Sequence, residues 1–137
     1  MIYTMTLSPA LDYIITIENF SKDAVNRNEK EEVFAGGATS GHRDGNVSEA
    51  MFKNPCGIWQ DSDDNIYVAD EYNHCIRRIT PENQVETVLG IPGTSGWKDG
   101  SKELALFNRP RGLCIDQNND IYVCDYGNSR IRKLSIN

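Results

Sequence analysis

Apolar residues in this chain come in short runs cut apart by polar clusters. The clearest runs are residues 55–61, 65–70, 75–80 and 85–90, separated by Ser62-Asp63-Asp64, Glu71-Tyr72-Asn73 and Pro81-Glu82-Asn83. Runs of this length bounded by Asp, Asn, Ser and Pro predict short antiparallel strands joined by tight turns. Alternation is weak in Ile66-Tyr67-Val68-Ala69. That predicts a strand buried on both faces, as between stacked sheets.

The pattern then starts again. Pro55-Cys56-Gly57-Ile58, Asp61, Ile66-Tyr67-Val68-Ala69-Asp70, Asn73 and Ile76-Arg77 recur as Pro110-Arg111-Gly112-Leu113, Asp116, Ile121-Tyr122-Val123-Cys124-Asp125, Asn128 and Ile131-Arg132, each pair 55 residues apart with no insertion. The linking segments repeat too: Thr39-Ser40-Gly41, Asp44-Gly45, Ala50 and Phe52 against Thr94-Ser95-Gly96, Asp99-Gly100, Ala105 and Phe107. Self-similarity at a fixed period marks a repeat architecture. Four short strands per repeat predict an all-β protein made of two four-stranded propeller blades, a partial propeller. Only three strands of the second copy precede Asn137. Residues 31–36, shifted by 55, fall on the fourth-strand positions, with Val33 on Val88. They are expected to complete the second blade or that of a neighbouring molecule.

The opening of the chain follows a different pattern. Residues 1–20 predict two strands around a Ser8-Pro9 break, because Tyr3, Thr4 and Tyr13-Ile14-Ile15-Thr16-Ile17 are strand-favouring types. Residues 21–30 are polar and without period, a connector, and residues 31–35 are a short strand candidate ending at Gly36-Gly37. The expected organisation is a leader, residues 1–30, and a bladed part, residues 31–137.

Composition narrows the function classes. The chain has 137 residues, 39% hydrophobic and 25% charged, with a net charge of −6, as in a globular domain. That charge and the lack of a polybasic stripe argue against nucleic acid and anionic membrane as partners. No apolar run approaches the ~18 residues of a membrane span, and no basic region precedes the mildly apolar start, so no signal peptide is read and the sequence as written is expected in the cytoplasm. Cys56, Cys75, Cys114 and Cys124 show no metal-type spacing. Cys114 and Cys124 flank Asn119 symmetrically and are expected to face each other across a hairpin as small buried residues.

Few patterns carry chemistry. Asp61-x-Asp63-x-Asn65 and Asp116-x-Asn118-x-Asp120 begin like a calcium loop, but the sixth and twelfth positions hold Ile66 and Tyr72, or Ile121 and Gly127. They are read as turns. His42-Arg43-Asp44 becomes Trp97-Lys98-Asp99 in the second copy, an Asp-Gly turn and not a kinase loop. No nucleophile–base pair, metal site or cofactor is legible. His42 and Trp97, with Arg43 and Lys98, hold equivalent linker positions, which a propeller gathers on one rim. An aromatic beside a cation there suits a sugar or a peptide.

Two resemblances follow from these residues. Pro-x-Gly-Ile, Asn-Ile-Tyr-Val-Ala-Asp, Asn73 and Ile76-Arg77, with their second copies, resemble the NHL repeat, a four-stranded blade usually found in six-bladed propellers. The likeness spans about residues 33–137. It implies binding of protein, RNA or glycan, with a few related propellers acting as enzymes and relatives often at the cell surface or secreted. It also implies that Asp70, Asn73 and Arg77, and Asp125, Asn128 and Arg132, stabilise blade turns. The opening, Ile2-Tyr3-Thr4 through Leu7-Ser8-Pro9-Ala10-Leu11-Asp12-Tyr13, then Val25-Asn26-Arg27 and Gly36-Gly37, resembles the start of a phosphofructokinase-B-type sugar kinase of the ribokinase-like fold. There Asp12, Gly36 and Gly37 would line a sugar site. Ala38 follows Gly37 where that family has Lys, and the family's nucleotide site and catalytic Asp have no counterpart.

The function expected is a non-catalytic binding or scaffold module that takes protein or glycan through its rim. The alternative is a fusion or truncated product with a carbohydrate-kinase relic at its N-terminus and no intact active site. Because the family favours six blades, three chains of two blades would close a ring, so a homotrimer is expected.

Overall fold

The computed structural model describes residues 2–8, 11–16, 33–37 and 39–135. The chain divides into two units, Met1–Glu32 and Val33–Asn137. In the first, β1 (Ile2–Ser8) and β2 (Leu11–Thr16) form an antiparallel pair running from Ile2↔Thr16 to Thr6↔Asp12, with an irregularity before Ser8↔Leu11. These are the two strands expected around Ser8-Pro9. The side chain of Asp12 and the connector of residues 21–30 lie outside the described residues.

In the second unit all strand pairings are antiparallel, and short 3-10 turns at Glu71–Asn73 and Tyr126–Asn128 join neighbouring strands. After the two-residue β3 (Gly45–Asn46) come β4 (Pro55–Gln60), β5 (Ile66–Asp70), β6 (Cys75–Ile79) and β7 (Gln84–Leu89), ordered β3-β7-β6-β5-β4. The second sheet holds β8 (Pro110–Ile115), β9 (Asp120–Asp125) and β10 (Arg130–Ser135), ordered β10-β9-β8. All seven strands expected in the two repeats are present within a residue of their expected bounds. The second blade differs from a four-stranded one by showing three strands among the described residues.

The blades stack through one continuous core. Tyr67, Ala69, Ile76 and Leu89 of the first blade meet Ala105, Phe107, Ile121 and Val123 of the second, all at most 1% exposed. This explains the weak alternation of β5: Tyr67 and Ala69 face the second blade, while Val68 points the other way into a core with Ala50, Ile79 and Val85. The innermost strands β4 and β8 touch backbone to backbone. A Cβ on Gly57 would lie 2.3 Å from the Arg111 carbonyl oxygen and 2.9 Å from the Gly112 Cα, so only glycine permits the approach. The opposite face of the second blade is bare: Ile131 is 70% exposed, whereas its counterpart Ile76 is fully buried.

Two expectations need correction. Val33–Ala35 form no strand. Gly36, at φ +82°, turns the chain onto the first blade's own linker, where its N–H donates to the Val47 carbonyl at 2.9 Å. Residues 33–36 therefore pair with neither edge of the second blade; the remaining residues of the 31–36 segment lie outside the described ones. Cys114 and Cys124 do not face each other. The turn closes with Asp116 N–H on the Asp120 carbonyl, Ile115 opposes Ile121, and Cys114 opposes Tyr122 while Gly112 opposes Cys124. Both thiols are exposed and free, as is that of Cys56, and only Cys75 is buried.

Candidate functional site

The repeated Asp, Asn and Arg build a buried network that holds each linker to its blade. In the first copy Asp70 accepts hydrogen bonds from Lys53 N–H, Asn73 Nδ2 and Arg77 Nη1, each at 2.8 Å, and Asn73 also donates to the Gly41 carbonyl. In the second, Asp125 accepts from Asn108 N–H, Asn128 Nδ2 and Arg132 Nη1, and Asn128 donates to the Gly96 carbonyl. Arg77 has no exposed side-chain surface, and its five N–H donors reach Asp44 twice, Asp70, and the carbonyls of Met51 and Arg43. Among the described residues no buried side-chain nitrogen or oxygen lacks a partner, which suits an anchor. The calcium-like clusters are likewise turns: Asp61 Oδ1 accepts from the N–H groups of Asp63 and Asn65, and Asp116 Oδ1 from those of Asn118 and Asp120. Among the described residues no cluster of His, Cys, Asp and Glu could hold a metal.

The four rim residues stay on their linkers, and Trp97 and Arg43 line different grooves. His42 Nε2 lies 2.8 Å from Thr87 Oγ1 on β7 and 3.8 Å from Asp44 Oδ1. Burial and then the Arg77 charge lower its pKa from the usual value. Trp97 is 54% exposed, with the Arg130 guanidinium 4.0 Å from its ring centre. It lines a groove of about 460 Å³ along β10 with Asp99, Lys102 and Arg130. Arg43 lines a different groove, about 380 Å³, with Gly37, Thr39 and Glu49. Lys98 is exposed, and its carbonyl accepts from Arg132. Gly36 packs against the Phe52 ring in the bladed unit, so it serves the first blade's linker.

A second cluster, which sequence reasoning missed, lies where the blades meet. Glu71 is 2% exposed. Its Oε1 accepts from Arg109 Nε at 3.1 Å and Arg111 Nε at 3.0 Å, and its Oε2 from Asn54 Nδ2 at 2.6 Å and the Cys56 thiol at 3.1 Å. Burial pushes the Glu71 carboxyl up, but the hydrogen bonds from Cys56, Arg111 and Arg109 more than reverse this and hold it below its ordinary range. Burial and then Glu71 push the Cys56 thiol up to about 11. Above them Arg111 stacks on Tyr126 at 3.6 Å and Arg109 on Tyr72 at 5.1 Å. The sequence did hold a signal. Asn54/Arg109, Cys56/Arg111 and Glu71/Tyr126 are equivalent positions at which the copies disagree, and these differences converge on the junction.

Residues 52–79 and 107–134 match the NHL repeat. The chain carries two NHL repeats. The second blade anchors Arg132 through Leu106, Asp125 and Lys98, the equivalents of the Met51, Asp70 and Arg43 acceptors of Arg77, so the repeat is one of structure as well as sequence. NHL repeat-containing protein 2 from Homo sapiens is 33% identical over 99 residues, 70% of this chain and 14% of that protein. Among solved structures, a structural genomics protein of unknown function from Bacteroides thetaiotaomicron superposes with a TM-score of 0.70 at 31% identity, over 73% of this chain and 26% of that one. An auxiliary nutrient binding protein from the same organism gives 0.67 at 32% identity, over 73% and 27%. The chain thus spans about a seventh of the human relative and about a quarter of the two solved chains. No described helix is long and apolar enough to cross a membrane.

Proposed function

We propose that this chain is a binding module of NHL propeller type that takes a protein or glycan ligand and does no chemistry of its own. The observation that carries the reading is the half-exposed Trp97 stacked by Arg130 beside an open groove, set on a scaffold whose buried ionic groups are all partnered. An exposed aromatic next to a cation offers both an apolar face and charge to a ligand. The nutrient-binding neighbour supports a binding role. In a screen of glycans and peptides, Trp97→Ala should abolish binding at this groove with the melting temperature unchanged. A large loss of stability with no ligand found would make Trp97 a packing residue.

The bare face of the second blade supports self-association. Ile131 and Cys124 sit where Ile76 and Ala69 are covered in the first, and a homotrimer of two-bladed chains would cover them in a six-bladed ring. Light scattering on a size-exclusion column tests this. A mass of about three times 15.4 kDa supports the ring, and a well-folded monomer peak sinks it. The alternative reading, a carbohydrate-kinase relic in residues 1–30, predicts no intact active site. Phosphorylation of fructose 1-phosphate or 6-phosphate by ATP above background would overturn both readings.

A further inference from the structure

The junction of the two blades presents charge as well as structure. Glu71 gives one negative charge to two guanidiniums, which leaves one net positive charge among these three groups at the surface. Arg111 spends its Nε on Glu71 and lies flat on the Tyr126 ring at 3.6 Å, with its side chain 42% exposed. A guanidinium fixed by its Nε and stacked by its face keeps its two terminal nitrogens as a planar fork, the geometry that binds a carboxylate through two parallel hydrogen bonds. Arg109 and Tyr72 flank it, also part-exposed. From this we infer that Arg111, held between Glu71 and Tyr126, is the anchor of an interaction surface for an acidic segment of a protein partner.

Two features favour a protein segment over other anions. A single net positive charge matches one carboxylate, while the overall charge of −6 opposes a polyanion such as nucleic acid. The grooves along β10, along β7 and between the far ends of β4 and β8 are lined by other residues, so the Arg111 fork lies outside them. Arg and Tyr are also the residue types that most often anchor protein interfaces. The inference rests on the binding reading but places a second surface away from Trp97.

The test is a titration of the isotope-labelled full chain, followed by NMR, with an acetylated Gly-Glu-Gly-Glu-Gly amide and its Gln counterpart. The Glu peptide should shift the Arg111 Nε–H and Tyr126 signals and the Gln peptide should not. Arg111→Gln should weaken the Glu peptide at least about tenfold, the loss of a charge-assisted fork, and Arg111→Lys should retain part of the affinity. Glu71 keeps Arg109, Asn54 and Cys56 in both variants, and an unchanged spectrum elsewhere confirms folding. Equal shifts with the Gln peptide, no shifts at all, indifference to Arg111→Gln, or a stronger response to a uronate oligosaccharide or an oligonucleotide would each overturn it. Shifts confined to the Trp97 groove would remove this surface and leave the binding reading standing.

Discussion

Replacing Glu71 with Gln keeps the side chain's shape and removes the charge on which the two blades converge. The two guanidinium nitrogens lie 3.1 Å and 3.0 Å from Oε1. At about 3 Å and an effective dielectric constant of ~20, each pair has a Coulomb energy of about 5 kcal/mol. Both arginine side chains are more than a third exposed, at 36% and 42%, so solvent screening leaves about 1 kcal/mol per pair. The amide also turns an N–H group toward donors and leaves a buried polar group unsatisfied, which costs about 1 kcal/mol more. A total of about 3 kcal/mol in a unit of this size corresponds to a fall of about 12 °C in melting temperature. The sign of the pH dependence follows from the lowered Glu71 pKa. A carboxyl that titrates lower in the fold contributes fully above its unfolded value and loses that contribution as pH falls through the folded one. Circular dichroism melts should therefore show the widest gap between parent and variant near neutral pH and a narrowing gap in acid. Melting within about 2 °C of the parent at neutral pH, or a gap that widens in acid, would refute the role of the Glu71 cluster as a latch between the blades.

Other expectations follow from the same geometry. Arg77→Lys cannot reproduce the five fixed donors of a fully buried guanidinium, leaves buried acceptors unsatisfied and should cost about 1–3 kcal/mol in urea unfolding, while Arg132→Lys should cost less because its partner Asp99 is 79% exposed against 41% for Asp44. Gly57→Ala should destabilise by about 1–3 kcal/mol through overpacking against β8, whereas Gly112→Ala, whose Cβ would meet Cys124 Sγ at 3.5 Å and Cβ at 3.8 Å in ordinary contact, should be close to neutral by the same measurement. The Cys56 thiol, raised from 9.0 to about 11, should alkylate about a hundredfold more slowly at mildly alkaline pH than a thiol at the ordinary value. Glu71→Gln should accelerate that reaction, as read by mass spectrometry, and an unchanged rate would sever the thiol from the latch.

Local order was largely legible in the sequence. The bounds of β4 to β10 follow from Asp, Asn and Pro clusters that cut the apolar runs, and the weak alternation of Ile66-Tyr67-Val68-Ala69 correctly anticipated burial on both faces. The roles of Asp70, Asn73 and Arg77 could be carried over because all three recur 55 residues on. What failed depended on single residues overriding a pattern. The Cys114–Cys124 pairing assumed a turn centred on Asn119, but the Asp116 side chain caps the loop and centres it one residue earlier. Val33 and Phe34 are strand-favouring types, yet the turn at Gly36 sends the chain to the first blade's linker. The rim was read from equivalence alone, which says where Arg43 and Trp97 sit on a blade and not whether they share a groove. The Glu71 latch escaped because agreement between copies was the signal followed, and the junction is built where they differ.

The measurement that bears most directly on function is a screen of peptides and glycans against the isotope-labelled chain, followed by NMR and by analysis of the recovered compounds. A binding module gives saturable shifts at Trp97 or at Arg111 and Tyr126, leaves the buried Arg77 and Arg132 signals unmoved, and returns every compound intact. Conversion of any compound to product, or shifts centred on the buried Asp70–Arg77 network, would contradict it.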